Sequence, residues 1–247
     1  MKIKVLDQGY CQHVTSWGSD ESIIEAARMS TNKGFKGWGT EEAPGDEKLL
    51  RYLYENKHTT PFEMAGLTVE IKAPIFVFRQ WHRHRTQSYN EMSARYTPLP
   101  AEDYVPTVER LMVNSTKNKQ AGTAKGAAAL DEEKAERFRE TLQRMYNVSQ
   151  GVYEDALRNG VPKELARLVL PVARYSKMRA SANLHNWLRF LRLRLDPHAQ
   201  YEIRVYAQAI GTMIAHQFPH TWSLFCEEMV QRHPRLKLLE VMEESNG

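Results

Sequence analysis

Residues 65–82 read Ala65-Gly66-Leu67-Thr68-Val69-Glu70-Ile71-Lys72-Ala73-Pro74-Ile75-Phe76-Val77-Phe78-Arg79-Gln80-Trp81-His82, and their hydrophobic period changes midway. Ala65, Leu67, Val69 and Ile71 alternate with Gly66, Thr68, Glu70 and Lys72, the pattern of a half-buried strand. Pro74 ends it and opens a helix to about His82, since proline's fixed φ and missing N–H suit a first helical turn. Upstream, Ser19-Asp20-Glu21 caps a helix to about Met29, and a second helix follows Asp46, carrying Leu49, Leu50 and Leu53 to about Asn56. Residues 31–45, with four glycines and a proline, form a loop. Downstream, Asp131 caps a long helix ending near Gly160, with Phe138, Leu142, Met145, Val148 or Ser149, and Val152 on one stripe. Helical pattern resumes over 163–171, 181–195, 197–217 and 221–231. The polar, aperiodic residues 113–130 read as a flexible insertion. The expected architecture is α+β: one mostly helical domain over 1–247, with a small antiparallel sheet in its N-terminal half.

The 247 residues are 42% hydrophobic and 26% charged, enough to bury an ordinary core. The longest uncharged apolar run, Ala73–Phe78, is far too short to span a bilayer, and Met1–Asp7 lacks a signal-peptide core. Cys11 and Cys226 are too isolated for a disulfide framework or a structural zinc site. A cytoplasmic protein fits these features. The net charge of +4 is unevenly spread. Four arginines against Glu91 give residues 79–95 a charge of +3, and eight basic residues against Glu164 give 163–194 a charge of +7, leaving the remainder at −6. Two basic windows of this kind suit a polyanionic ligand; solvated basic helix faces are the plainer alternative.

The densest run of functional groups is Arg79-Gln80-Trp81-His82-Arg83-His84-Arg85-Thr86-Gln87-Ser88-Tyr89-Asn90-Glu91-Met92-Ser93-Ala94-Arg95-Tyr96. It offers guanidinium forks for phosphate, two imidazoles, and amides and hydroxyls able to read base edges. Burying so many polar groups unpaired would cost roughly 1–3 kcal/mol each, so they are solvated or satisfied by a ligand. His82 and His84, with His58 and His198, do not read as a metal site, because the neighbouring arginines oppose a dication. Trp17, Trp38, Trp81, Trp187 and Trp222 form no stacking series and read as core or rim. Ile203, Tyr206, Ile210, Met213 and Ile214 form a packing stripe, in the chain or in an oligomer core.

Arg83-His84-Arg85, followed after seven residues by Ser93, resembles the signature of the flavin-dependent thymidylate synthases. His58-Thr59-Thr60-Pro61-Phe62-Glu63 resembles that family's upstream block, and Ala26-Ala27-Arg28 its N-terminal helix. Ala166–Pro171 and Leu193–Ile203 resemble its C-terminal blocks, so the likeness runs over about residues 1–225. The resemblance implies methylation of dUMP to dTMP with methylenetetrahydrofolate as carbon donor and FAD, reduced by NADPH, as hydride source. It further implies a homotetramer whose sites are shared between subunits, so that the two basic windows meet across an interface.

Residue by residue, the resemblance assigns FAD binding to Thr60, Arg83, His84, Arg85, Glu91, Asn183, His185, Arg189 and His198. Arg189 stands where some relatives are expected to carry an Asn-like contact. It assigns dUMP binding to Gln80, Arg83, Glu91, Ser93, Arg95, Arg167 and Arg194, with Arg95 and Arg167 on the phosphate. Arg194 is the catalytic residue, activating the uracil, and His58 lies on the folate side. No metal and no nucleic acid are implied. Neither cysteine has activating neighbours in the sequence, and hydride addition to C6 needs no enzyme nucleophile, so Ser93 reads as a hydrogen-bonding ligand. The competing readings are an arginine-rich nucleic-acid-binding protein and a nucleotide-binding module without turnover. A flavin absorbance spectrum discriminates among the three.

Overall fold

The computed structural model describes residues 1–40, 43, 45–113 and 130–234. All but the two end residues of the 113–130 stretch fall outside them. Five antiparallel strands form one sheet: β1 (Lys2–Val5), β2 (Gly9–Trp17), β3 (Gly66–Pro74), β4 (Ser88–Glu91) and β5 (Tyr175–Asn183), in the order β1-β2-β3-β5-β4. The helices are α1 (Asp20–Arg28), α2 (Glu47–Glu55), α3 (Ile75–Trp81), α4 (Val108–Met112), α5 (Glu132–Arg158), α6 (Lys163–Ala166), α7 (Leu184–Arg194), α8 (Tyr201–Gln217) and α9 (Pro219–Arg232). The mostly helical α+β class is observed. Among the described residues, no helix is long and apolar enough to cross a membrane.

The 65–82 reading holds in detail. Leu67, Val69, Ile71 and Ala73 are buried, and Pro74 passes directly into α3. The opposite face of the sheet is polar, with Thr68 donating to Ser181 Oγ (2.8 Å) and Tyr10 to Glu70 (2.8 Å) across strands. Ser19 caps α1, and Asp20 reaches across to α9, its carboxylate accepting from the His220 N–H (2.8 Å) and the Thr221 hydroxyl (2.5 Å). Helix α8 is buried almost all round, so the Ile203–Ile214 stripe belongs to the chain's own core. Gly211 permits the close approach of α9, because a Cβ there would lie 2.7 Å from the Trp222 ring.

Four expectations need correction. The sheet is not confined to the N-terminal half, since β5 sits between β3 and β4. The helix expected over 181–195 starts at Leu184, because Ser181–Asn183 complete β5; Asn183 Oδ1 accepts from the Asn186 N–H (3.0 Å) as its cap. The stretch 163–171 is the single turn α6 followed by a 3-10 turn, Arg167–Val169, and α8 begins at Tyr201 rather than 197. Finally, the apolar stripe of α5 is largely exposed among the described residues. Phe138, Met145, Val148 and Val152 are exposed, while of the 27 helical residues Ala135 and Tyr153 are buried.

Candidate functional site

The turn after α3 delivers the Arg83-His84-Arg85 run, and β4 and the residues after it carry Glu91 and Ser93. Against α3 and the residues around the end of β4 lies a cleft of about 330 Å³, within the range of small-molecule sites, which Arg83, His84 and Arg85 do not line. Glu91, Ser93 and Arg167 line it as polar members, joined by Arg79, His82 and Ser176; Phe78, Leu99 and Leu170 are among its apolar walls. Arg167 of the second basic window thus meets residues of the first within one chain. Loss of water in the cleft raises the Glu91 pKa, offset partly by the charges of His82 and Arg79. Ser93 Oγ accepts from the Arg95 N–H at 3.3 Å. Arg95 itself points out of the cleft: its Nε lies 3.4 Å from Glu164 and its guanidinium packs over the Tyr96 ring.

Arg194 stands elsewhere. From the last turn of α7 its Nε donates to His84 Nε2 (2.9 Å) and its Nη2 to the Gln80 carbonyl (2.9 Å). Of the five N–H donors of a guanidinium these two are engaged, so the group is anchored and still offers donors to a ligand. The same contact makes His84 Nε2 an acceptor, which requires the neutral ring. Burial, with the charges of Arg194 and Arg189, pushes the His84 pKa down to about 4. The Gln80 amide donates to Gln200, which donates in turn to Glu202 (2.8 Å), a carboxylate held by Arg110 and Tyr104. Neither Gln80 nor Arg194 lines the cleft.

A third group lies along α7. The 3-10 turn Thr60–Glu63 packs against this helix, and His58 and His185 line a smaller cleft of about 230 Å³ there. Burial and then the Arg189 charge lower the His185 pKa, and the Arg189 charge also acts on His84. Arg83, Arg85 and Arg189 are exposed and have no carboxylate partner among the described residues. His198 lines neither cleft; its Nδ1 lies 2.9 Å from Asp196.

The charge count alone overstates the ligand-facing set. Within 163–194, Arg174 is fully buried against Asp103 (3.0 Å), Arg192 pairs with Glu228 (2.9 Å) and Arg179 with Glu70 (3.4 Å). Of its arginines, Arg167, Arg189 and Arg194 have no carboxylate partner among the described residues, and neither lysine, Lys163 or Lys177, has one. Conversely, Arg79, Ser176 and Gln200 were not singled out from the sequence, and His82 entered it only as a rejected metal ligand. Arg79 and His82 fall in the arginine-rich run, but only the placement of α3 shows which of its side chains face the cleft.

The profile of a family described as "Thymidylate synthase complementing protein" matches residues 13–220. The flavin-dependent thymidylate synthase of Thermus thermophilus is 42% identical over 231 residues, covering 94% of this chain and 80% of that protein. The protein of the same name from Ehrlichia ruminantium is 41% identical over 224 residues, covering 91% and 72%. Among solved structures, a UMP/dUMP methylase, PolB, from Streptomyces cacaoi, bound with 5-Br UMP, superposes with a TM-score of 0.77 at 32% identity, covering 91% of this chain and 96% of that one. A family match over most of the chain, and relatives above 40% identity along at least 91% of it, place this enzyme among the flavin-dependent thymidylate synthases.

Proposed function

We propose that the chain methylates dUMP to dTMP, taking the carbon from methylenetetrahydrofolate and using FAD reduced by NADPH. The observation that carries this reading is the cleft that gathers Glu91, Ser93 and Arg167 beside the signature turn. A nucleotide monophosphate suits it: Arg167 takes the phosphate, while Ser93 and Glu91 hydrogen-bond the sugar or base. The PolB structure bound with 5-Br UMP supports a pyrimidine nucleotide as the ligand.

FAD, when bound, supplies the hydride for C6 of the pyrimidine. Arg83, Arg85 and Arg189, which have no carboxylate partner among the described residues, would with Thr60, Asn183 and His185 hold its pyrophosphate and polar edges. Arg194, held in place by His84 and the Gln80 carbonyl, donates to the uracil as negative charge spreads over the ring and C5 becomes nucleophilic. His58, on the α7 cleft, is assigned to the folate side. No thiol is needed. Cys11 is buried with its pKa raised by desolvation, and burial pushes Cys226 up to about 12, the opposite of an activated nucleophile.

A shared site in a homotetramer is supported by the separation of Arg194 from the cleft that holds the nucleotide-binding residues, and by the exposed apolar face of α5. In this reading Arg194 of one subunit serves the cleft of another. Mixing Arg194→Ala chains with Arg167→Ala chains, by co-expression, should therefore give, at dUMP well below the raised KM of Arg167→Ala, turnover above the sum of the two variants measured separately. Recovery no greater than the sum of the two separate variants would show that each chain builds its site from its own residues.

The reaction is tested by its folate product. Purified protein should show flavin absorbance and, with dUMP, methylenetetrahydrofolate and NADPH, yield dTMP and tetrahydrofolate; dihydrofolate would mean that the folate gave the hydride. The Cys11→Ala/Cys226→Ala double variant should turn over at a rate similar to the wild type. Loss of activity in that variant, folded and flavin-loaded, contradicts the nucleophile-free reading.

A further inference from the structure

His84 is held on three sides. Its backbone N–H donates to the Trp81 carbonyl (2.9 Å), its own carbonyl accepts from the Tyr89 hydroxyl (2.6 Å), and its ring packs edge-on against Phe190 with centroids 4.8 Å apart. The contact from Arg194 then decides where the ring carries its proton. A guanidinium has N–H donors and no acceptor, so the Arg194 Nε, 2.9 Å from His84 Nε2, requires a lone pair on that nitrogen. A neutral imidazole with its lone pair on Nε2 is protonated on Nδ1. Burial, with the charges of Arg194 and Arg189 on α7, keeps the ring neutral. Nδ1 has no hydrogen-bond partner among the described residues and is not sealed in the interior, so its N–H is open to a ligand. We propose that Arg194 locks His84 as the Nδ1–H tautomer and that this N–H is a fixed donor to an acceptor atom of the flavin, so that one imidazole links the flavin to the guanidinium serving the uracil. This inference rests on the reading that residues 83–85 hold FAD, and it adds the tautomer, the donor atom and the link to Arg194.

Two replacements separate the two ring nitrogens. Asparagine places a carboxamide near the Nδ1 position and is too short to reach Arg194, whereas glutamine reaches the Nε2 position and vacates Nδ1. His84→Asn should bind FAD within about threefold of the wild type, in titrations of the flavin-stripped full chain, while kcat at saturating FAD and dUMP falls about tenfold or more because Arg194 is loosened. His84→Gln should show the reverse, with FAD affinity lowered about fivefold or more and kcat at saturating FAD within about threefold. Magnetic resonance of the flavin-stripped chain, its histidine nitrogens isotope-labelled, should show the His84 ring protonated on Nδ1 at neutral pH, and Arg194→Ala should release it to a mixture of tautomers. Parallel losses of FAD affinity and kcat in the two His84 variants, or a wild-type ring protonated on Nε2, overturn the inference, as does a tautomer unchanged in Arg194→Ala. Wild-type protein that fails to take up FAD overturns the flavin reading itself, and so the two failures are distinguishable.

Discussion

Replacing Arg194 with alanine is expected to slow turnover of the nucleotide-saturated enzyme by about 30- to 1000-fold, equivalent to roughly 2–4 kcal/mol of transition-state stabilisation. The size follows from preorganisation. The guanidinium is fixed by His84 and the Gln80 carbonyl before any ligand arrives, so little reorganisation opposes its interaction with charge developing on the pyrimidine. FAD content should be retained, since Arg83, Arg85 and Arg189 are untouched. Arg167→Ala should behave differently. A phosphate contact is made about equally in the ground and transition states, so its loss raises KM and leaves kcat nearly intact. Steady-state kinetics and flavin-oxidation rates on both variants, with flavin content measured, decide between these patterns. Wild-type kcat in Arg194→Ala at saturating dUMP removes the activating role.

Arg174→Met should destabilise the fold by about 3–5 kcal/mol, because it leaves the Asp103 carboxylate without its cation. Arg174 is wholly buried: its Nε faces Asp103 at 3.0 Å, and its Nη1 donates to the Pro100 carbonyl (2.8 Å) and to Gln150 of α5 (2.7 Å). One side chain thus ties the segment after Ser93 and the long helix to the start of β5. Burial raises the Asp103 pKa, and Arg174 offsets that rise only in part. The Arg174→Met/Asp103→Leu pair should recover much of the loss, since an apolar pair avoids the stranded charge. Denaturant unfolding of the two variants measures this. A single variant as stable as the wild type would mean that water or a rearranged neighbour compensates Asp103.

The sequence by itself determined the elements whose signals are local. Alternation in β3, the Pro74 handover to α3, the Ser19 and Asp131 caps and the core stripe of α8 are written within a few residues of where they act. The chemistry-bearing residues were also legible, because arginines, histidines and a serine at fixed spacing survive as a linear pattern. Tertiary structure decided how they are grouped. β5 escaped the sequence reading because Ala180, Ser181 and Ala182 carry weak strand preference, and its place between β3 and β4 comes from pairing with residues about a hundred positions away. The α5 stripe is amphipathic in the sequence, but periodicity cannot say whether the covering surface belongs to the same chain. Within the site, Arg79 and Gln80 are adjacent in sequence yet about 100° apart around α3, so one enters the cleft while the other turns toward Gln200 and its carbonyl receives Arg194. The charge windows divide for a similar reason: Arg174, Arg179 and Arg192 find carboxylates when the chain folds, whereas Arg167, Arg189 and Arg194 find none among the described residues. A one-dimensional pattern gives the residue types, and only packing in three dimensions decides which charges are neutralised within the protein and which stay open to a ligand.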